Sequence, residues 1–246
     1  MRLFLLDKTY SGESIYQLKK KEVQYLSKVL RLEEGTVFTA KDRNENCYEA
    51  TLLSDGMLSL RPTENPEETL LDSLSGYCGP FTPIDMYVSV LKGKKNESVV
   101  RALTEIGVRR IIFVESEFCQ EKDFSSHQRE RLETILREAV QQCGGRAPSL
   151  EGPIPFREAV EKAEGTRIIL HQAVRERTLS LSEAVGENKN LNFVISAFVG
   201  PEGGFSDSEC LIAEENGFLP VLLKTNILRA ETCTVYTAAA LQTLTH

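Results

Sequence analysis

The chain has 246 residues, 41% of them hydrophobic and 26% charged, with a formal net charge of −7. This is globular composition, sufficient for one large domain or two small ones. The acidic balance argues against an extensive basic nucleic-acid footprint, and no run of eighteen apolar residues is present to span a membrane.

Met1–Leu6 is too short an apolar run, and too soon followed by Asp7 and Lys8, for a secretion signal. Residues up to 61 read as short strands. Leu3–Leu6, Val37–Ala40, Cys47–Leu53 and Met57–Leu60 are apolar or alternating, with a hairpin tip at Asp42–Asn46 and a tight turn at Ser54–Gly56. One helix is predicted over Lys21–Leu30, where Val23, Leu26, Val29 and Leu30 recur at helical spacing. Several strands with one helix suggest a small barrel. Lys19, Lys20, Lys21, Lys28 and Arg31 lie in this part, whose charges nearly balance, so a basic surface and an ordinary solvated face are equally open readings. Residues 62–82 hold Pro62, Pro66, Pro80 and Gly76–Gly79 among acids and read as a linker.

From Ile84 the rhythm becomes strand then helix. Ile84, Met86, Val88 and Val90 alternate as a strand, and Asn96 is predicted to cap a helix that ends at Gly107. Arg110–Val114 is a strand of buried type, and His127–Gln142 is an amphipathic helix. Ile168–Leu170, the run ending at Phe198, and Pro220–Leu223 are further strands, with helices at Ser208–Asn216 and Glu231–Thr243. Such alternation predicts an α/β domain with a mostly parallel sheet covered on both faces. Ligands bind such sheets beyond the carboxyl ends of the strands. Three loops lie at those ends: His171-Gln172, Val199–Phe205 and Lys224–Arg229.

The loop Val199-Gly200-Pro201-Glu202-Gly203-Gly204-Phe205 follows a strand and precedes a helix start at Ser206–Glu209. Its glycines let main-chain groups approach a ligand, though a tight connection alone would also need them. Their spacing fails the G-x-G-x-x-G dinucleotide pattern, and no P-loop or G-x-S-x-G elbow is present. Six cysteines without a CxxC pair and three dispersed histidines offer no metal cluster, and reduced thiols suit a cytoplasmic location. The residues alone leave an enzyme using an adenine-containing ligand as the leading reading.

Phe198–Phe205 together with Ile227-Leu228-Arg229-Ala230-Glu231-Thr232-Cys233 resembles the signature of the ribosomal RNA small subunit methyltransferase E family. Leu91–Val108 and Lys28–Leu32 with Gly35 are similar to further segments of that family, so the resemblance covers nearly the whole chain. It implies a small N-terminal PUA-like β-barrel that binds RNA, over residues 1–72. It implies a SPOUT methyltransferase domain with a C-terminal trefoil knot over 73–246. The implied activity is methylation of N3 of a uridine in 16S rRNA, with S-adenosylmethionine as donor, by a homodimer acting on the RNA or the small ribosomal subunit. Tyr25, Phe118, Gln172, Ala230 and Cys233 depart from the family pattern, and a catalytically inactive RNA-binding protein of the same fold is the alternative.

The resemblance assigns cofactor contacts to Leu170, His171, Val199, Gly200, Pro201, Glu202, Gly203, Gly204, Leu222, Leu223, Asn226, Ile227 and Leu228. Arg229 is the expected cation for charge developing on the uracil, with Glu202 or Glu231 as proton acceptor or orienting group. Turn and helix-start stabilisation is the bland reading of each. Phosphates are expected at Lys19, Lys20, Lys21, Lys28, Arg31, Lys92, Lys94, Lys95 and Arg101.

Overall fold

Contacts in the computed structural model, which describes residues 3–7, 9–42, 44, 46–63, 81–172, 178–186 and 193–245, divide the chain into two units. One comprises Met1–Gly79 with Val140–Gly145, the other Pro80–Ala139 with Arg146–His246. Most of the expected linker, the expected boundary at 72/73, and Arg43 and Glu45 of the hairpin tip lie outside the described residues.

In the first unit five strands form one sheet: β1 (Phe4–Leu5), β2 (Ile15–Gln17), β3 (Val37–Lys41), β4 (Cys47–Leu52) and β5 (Met57–Pro62), in the order β1-β3-β4-β5-β2. β3, β4 and β5 pair antiparallel, and Phe38, Ala40, Ala50, Leu58 and Leu60 are buried from them. The predicted helix is one continuous run whose second half widens. α1 (Lys20–Gln24) continues as a π-helical turn over Tyr25–Val29, with the Leu30 amide donating to the Tyr25 carbonyl at 3.0 Å. Arg31, at φ +54°, ends it in the left-handed region. β2 escapes the alternation test because Ile15 and Gln17 are both exposed and only Tyr16 is buried.

The second unit holds six parallel strands in the order β11-β9-β10-β6-β7-β8. They are β6 (Ile84–Ser89), β7 (Arg110–Glu115), β8 (Ser149–Pro155), β9 (Thr166–Leu170), β10 (Ile195–Val199) and β11 (Leu219–Val221). Every residue of the central β6 and β10 is buried, as expected of strands covered on both faces. One face carries α2 (Lys95–Ile106), α3 (Ser126–Cys143), α5 (Leu181–Val185) and α7 (Ala230–Leu244); Val99, Leu103, Ile135 and Leu241 pack with Met86, Val88 and Ala197. The other carries α4 (Phe156–Lys162) and α6 (Asp207–Glu215), where Phe156, Cys210 and Phe218 pack with Tyr87 and Phe198, themselves stacked at 4.3 Å.

One predicted cap is corrected. Lys94 occupies the N-cap position of α2, and Asn96 lies buried inside the helix. Its amide spans the Leu91 backbone, accepting from the N–H at 3.0 Å and donating to the C=O at 2.6 Å. Asn96 therefore fixes the loop after β6 instead of the helix end. Gly107, at φ +84°, ends α2 as expected. The amino ends of the strands are tied by Asp85, fully buried. Its carboxylate accepts from Arg109 Nε at 2.8 Å and Arg110 Nη2 at 2.6 Å.

Candidate active site

The order β11-β9-β10 sets three carboxyl ends side by side, and the loops leaving them enclose a cavity of about 440 Å³. This lies within the size range of small-molecule sites. Leu170, His171 and Gln172 line it from β9; Val199–Glu202, Gly204 and Phe205 from β10; Val221–Leu223 and Thr225–Arg229 from β11; Ala230 and Cys233 from the first turn of α7; and Lys95 from α2.

The glycine loop is held at both ends. A Cβ at Gly200 would stand 3.0 to 3.1 Å from the Gly204 backbone and the Phe205 nitrogen, so the chain folds back on itself there. The Gly204 amide donates to the Pro201 carbonyl at 2.9 Å, and Gly204 has φ +74°. Ser206 and Glu209 form a capping box at the start of α6, and Phe205 is buried among Phe156 and its neighbours. Every residue expected to contact a cofactor lines the cavity except Gly203, where a Cβ would stand 3.1 Å from that of Phe118.

The charges form one chain of contacts. Lys95 Nζ donates to Glu202 Oε1 at 2.6 Å and stands 3.7 Å from Glu231 Oε2; the Lys92 amide donates to the same Glu202 oxygen at 3.4 Å. Burial pushes the Glu202 carboxyl up, but the Lys95 ammonium and the local amides outweigh it and hold it below its ordinary value. The same hydrogen bond raises Lys95. Glu231 does not line the cavity, and its Oε2 is buried without a hydrogen-bond partner among the described residues. Arg229, at the N-cap of α7, lines the cavity, is exposed, and meets no described acid within ion-pair distance.

Among the expected phosphate contacts, Lys19 pairs with Asp7 at 2.6 Å, Lys95 with Glu202, and Arg101 stands 3.8 Å from Glu138. Lys20, Lys21, Lys28 and Arg31 are exposed on the first unit, and Lys92 and Lys94 on the second. Sequence reasoning placed Lys95 on the RNA side and missed its pairing, because its partner is 107 positions away. It also missed Ala230 and Cys233 as lining residues, which their one-turn spacing at a helix start could have suggested.

The family described as RNA methyltransferase domain matches residues 79–242. Ribosomal RNA small subunit methyltransferase E of Synechocystis is 29% identical over 235 residues, 94% of this chain and 74% of that protein. Among solved structures, a ribosomal RNA small subunit methyltransferase E from Neisseria gonorrhoeae bound to S-adenosylmethionine is 26% identical with a TM-score of 0.77, covering 99% of this chain and 98% of the other. A Legionella pneumophila methyltransferase in complex with the same cofactor is 25% identical with a TM-score of 0.77, covering 98% and 97%.

Proposed function

Because this chain belongs to the RNA methyltransferase family, which its second unit matches almost throughout, we propose that it transfers a methyl group from S-adenosylmethionine to N3 of a uridine in 16S rRNA. The observation that carries the reading is the cavity at the carboxyl ends of β9, β10 and β11, which combines a main-chain wall, an acid–lysine network and Arg229, which no described acid neutralises. The arrangement suits the cofactor. Leu170, Val199, Leu222 and Leu223 offer an apolar bed for a purine, the loop amides offer hydrogen bonds, and Glu202 gives the site a negative charge to face a sulfonium.

When bound, the cofactor supplies an electrophilic methyl group. Uridine N3 is a weak nucleophile until its proton leaves, so the protein must take that proton and stabilise the imide charge. Arg229 is placed to donate to the uracil O2 or O4 as charge accumulates there. Of the two candidate carboxylates only Glu202 lines the cavity, so it is the one proposed as proton acceptor. Glu231 acts through Lys95, steadying the ammonium that orients Glu202.

The proposal extends to residues 1–72 as a PUA-like barrel contributing Lys19, Lys20, Lys21, Lys28 and Arg31 to phosphates, and to 73–246 as a SPOUT domain contributing Lys92, Lys94 and Arg101. The family resemblance supports a trefoil knot in that domain, and a homodimer acting in the cytoplasm on small-subunit RNA. Two measurements test the reading. Calorimetry should show saturable binding of S-adenosylmethionine. Mass mapping of 16S rRNA from a strain lacking the gene, incubated with protein and cofactor, should show one uridine gaining a methyl group. Cofactor binding without methylation of any uridine would refute the assigned target.

A further inference from the structure

Beside the cavity stands a half-exposed aromatic ring. Phe118 is 47% exposed, at the tip of the turn that follows β7. The turn is closed by the Cys119 amide donating to the Ser116 carbonyl at 3.1 Å, and both flanking residues are buried. Ser116 Oγ is 2.8 Å from Ser89 Oγ, and the Glu117 amide donates to the buried Glu209 carboxylate at 2.9 Å. That carboxylate also accepts from the Ser206 amide at 3.0 Å, so one side chain fixes both the turn and the start of α6. Phe118 itself lies against Gly203, whose sequence neighbours Glu202 and Gly204 both line the cavity. A Cβ at 203 would press on it, standing 3.1 Å from the Phe118 Cβ and 3.5 Å from its Cγ.

A pinned turn that holds a half-exposed aromatic is a preorganised binding element, since the ordering entropy is already spent in the free protein. The exposed residues next to it in the chain, Glu117, Gln120 and Lys122, are polar, and the ring presents one flat apolar face among them. The ligand with one flat apolar face and polar edges that belongs at this cavity is a nucleobase. Single-stranded RNA is held by stacking unpaired bases on aromatic side chains. We propose that Phe118 is a stacking platform for an unpaired base of the RNA substrate, beside the glycine loop. This rests on the RNA methyltransferase reading above.

The chain contains no tryptophan, so Phe118→Trp introduces a single reporter at the platform. Its fluorescence should be quenched on titration with a small-subunit RNA transcript. Phe118→Leu keeps the apolar contact with Gly203 but removes the π face. It should raise KM for RNA by roughly tenfold or more, leaving kcat and S-adenosylmethionine affinity unchanged, and Phe118→Trp should retain the wild-type KM. Wild-type KM in Phe118→Leu, unquenched tryptophan at saturating RNA, or a change of oligomeric state in place of KM would each overturn the proposal. Quenching is read without methyl transfer, so failure of the platform and failure of the assigned reaction are separately visible.

Discussion

Arg229 lines the cavity with no described carboxylate to neutralise it, while Lys95, close enough to feel its charge, is committed to Glu202. The division assigns different tasks to the two cations. Arg229→Ala should lower kcat by roughly 10² to 10³, the usual effect of deleting a donor to developing charge, with cofactor affinity kept. Radiolabelled methyl transfer and calorimetry on the same preparation check it. Lys95→Met should act through Glu202. The hydrogen bond from Lys95 holds that carboxyl down, so its removal lets burial push the pKa up. A base is active only above its pKa, so the acid limb of the pH–rate profile should move to higher pH. An unshifted limb with reduced rate would mean that Lys95 serves binding and not the proton acceptor.

Elements depend on a few backbone positions that no other residue can fill. Gly165, at φ +65°, precedes β9, and a Cβ there would meet the Val194 carbonyl oxygen, which accepts from the Thr166 amide and starts the β9–β10 pairing. Gly165→Ala should destabilise the protein by about 2 to 4 kcal/mol in urea unfolding, combining left-handed strain with the clash. Gly217→Ala, at φ +81° in open space, should lose only about 1 to 2 kcal/mol. The same contrast between local and distant causes explains what could be read in advance. β7 and β10 were legible as apolar runs because both faces of the sheet are covered, β6 by the alternation of Ile84, Met86 and Val88, and α2 and α3 because each shows an apolar face over three turns or more. β8 was not, since Gly152, Pro153 and Pro155 argue against a strand and are tolerated only at this edge position. α4 and α5, of seven and five residues, are too short for periodicity. The glycine loop announced itself by composition, but the Lys95–Glu202 pair and the contact between Phe118 and Gly203 join residues far apart in sequence and leave no local trace.

Across the whole molecule the net charge of −7 limits how RNA can be held. Of the expected phosphate contacts, Lys19, Lys95 and Arg101 lie within ion-pair distance of acids, leaving Lys20, Lys21, Lys28, Arg31, Lys92 and Lys94. If all of these meet phosphates, log Kd should rise with log salt by a slope of no more than about 4. A steeper slope in filter-binding titrations would require cations beyond those named. The second unit is also closed by its far end. Gln242 both donates to and accepts from the Thr82 backbone at 3.1 Å, and Thr245 Oγ1 lies 2.7 Å from Thr82 Oγ1, just ahead of β6. During synthesis those partners emerge 160 residues apart, an interval of roughly 8 to 30 s at the usual elongation rates. For that time β6 waits without its clasp, and the cavity wall from Leu222 to Cys233 does not yet exist. The cofactor cavity is therefore incomplete until synthesis is almost finished, and a copy terminated before Leu222 lacks that wall altogether.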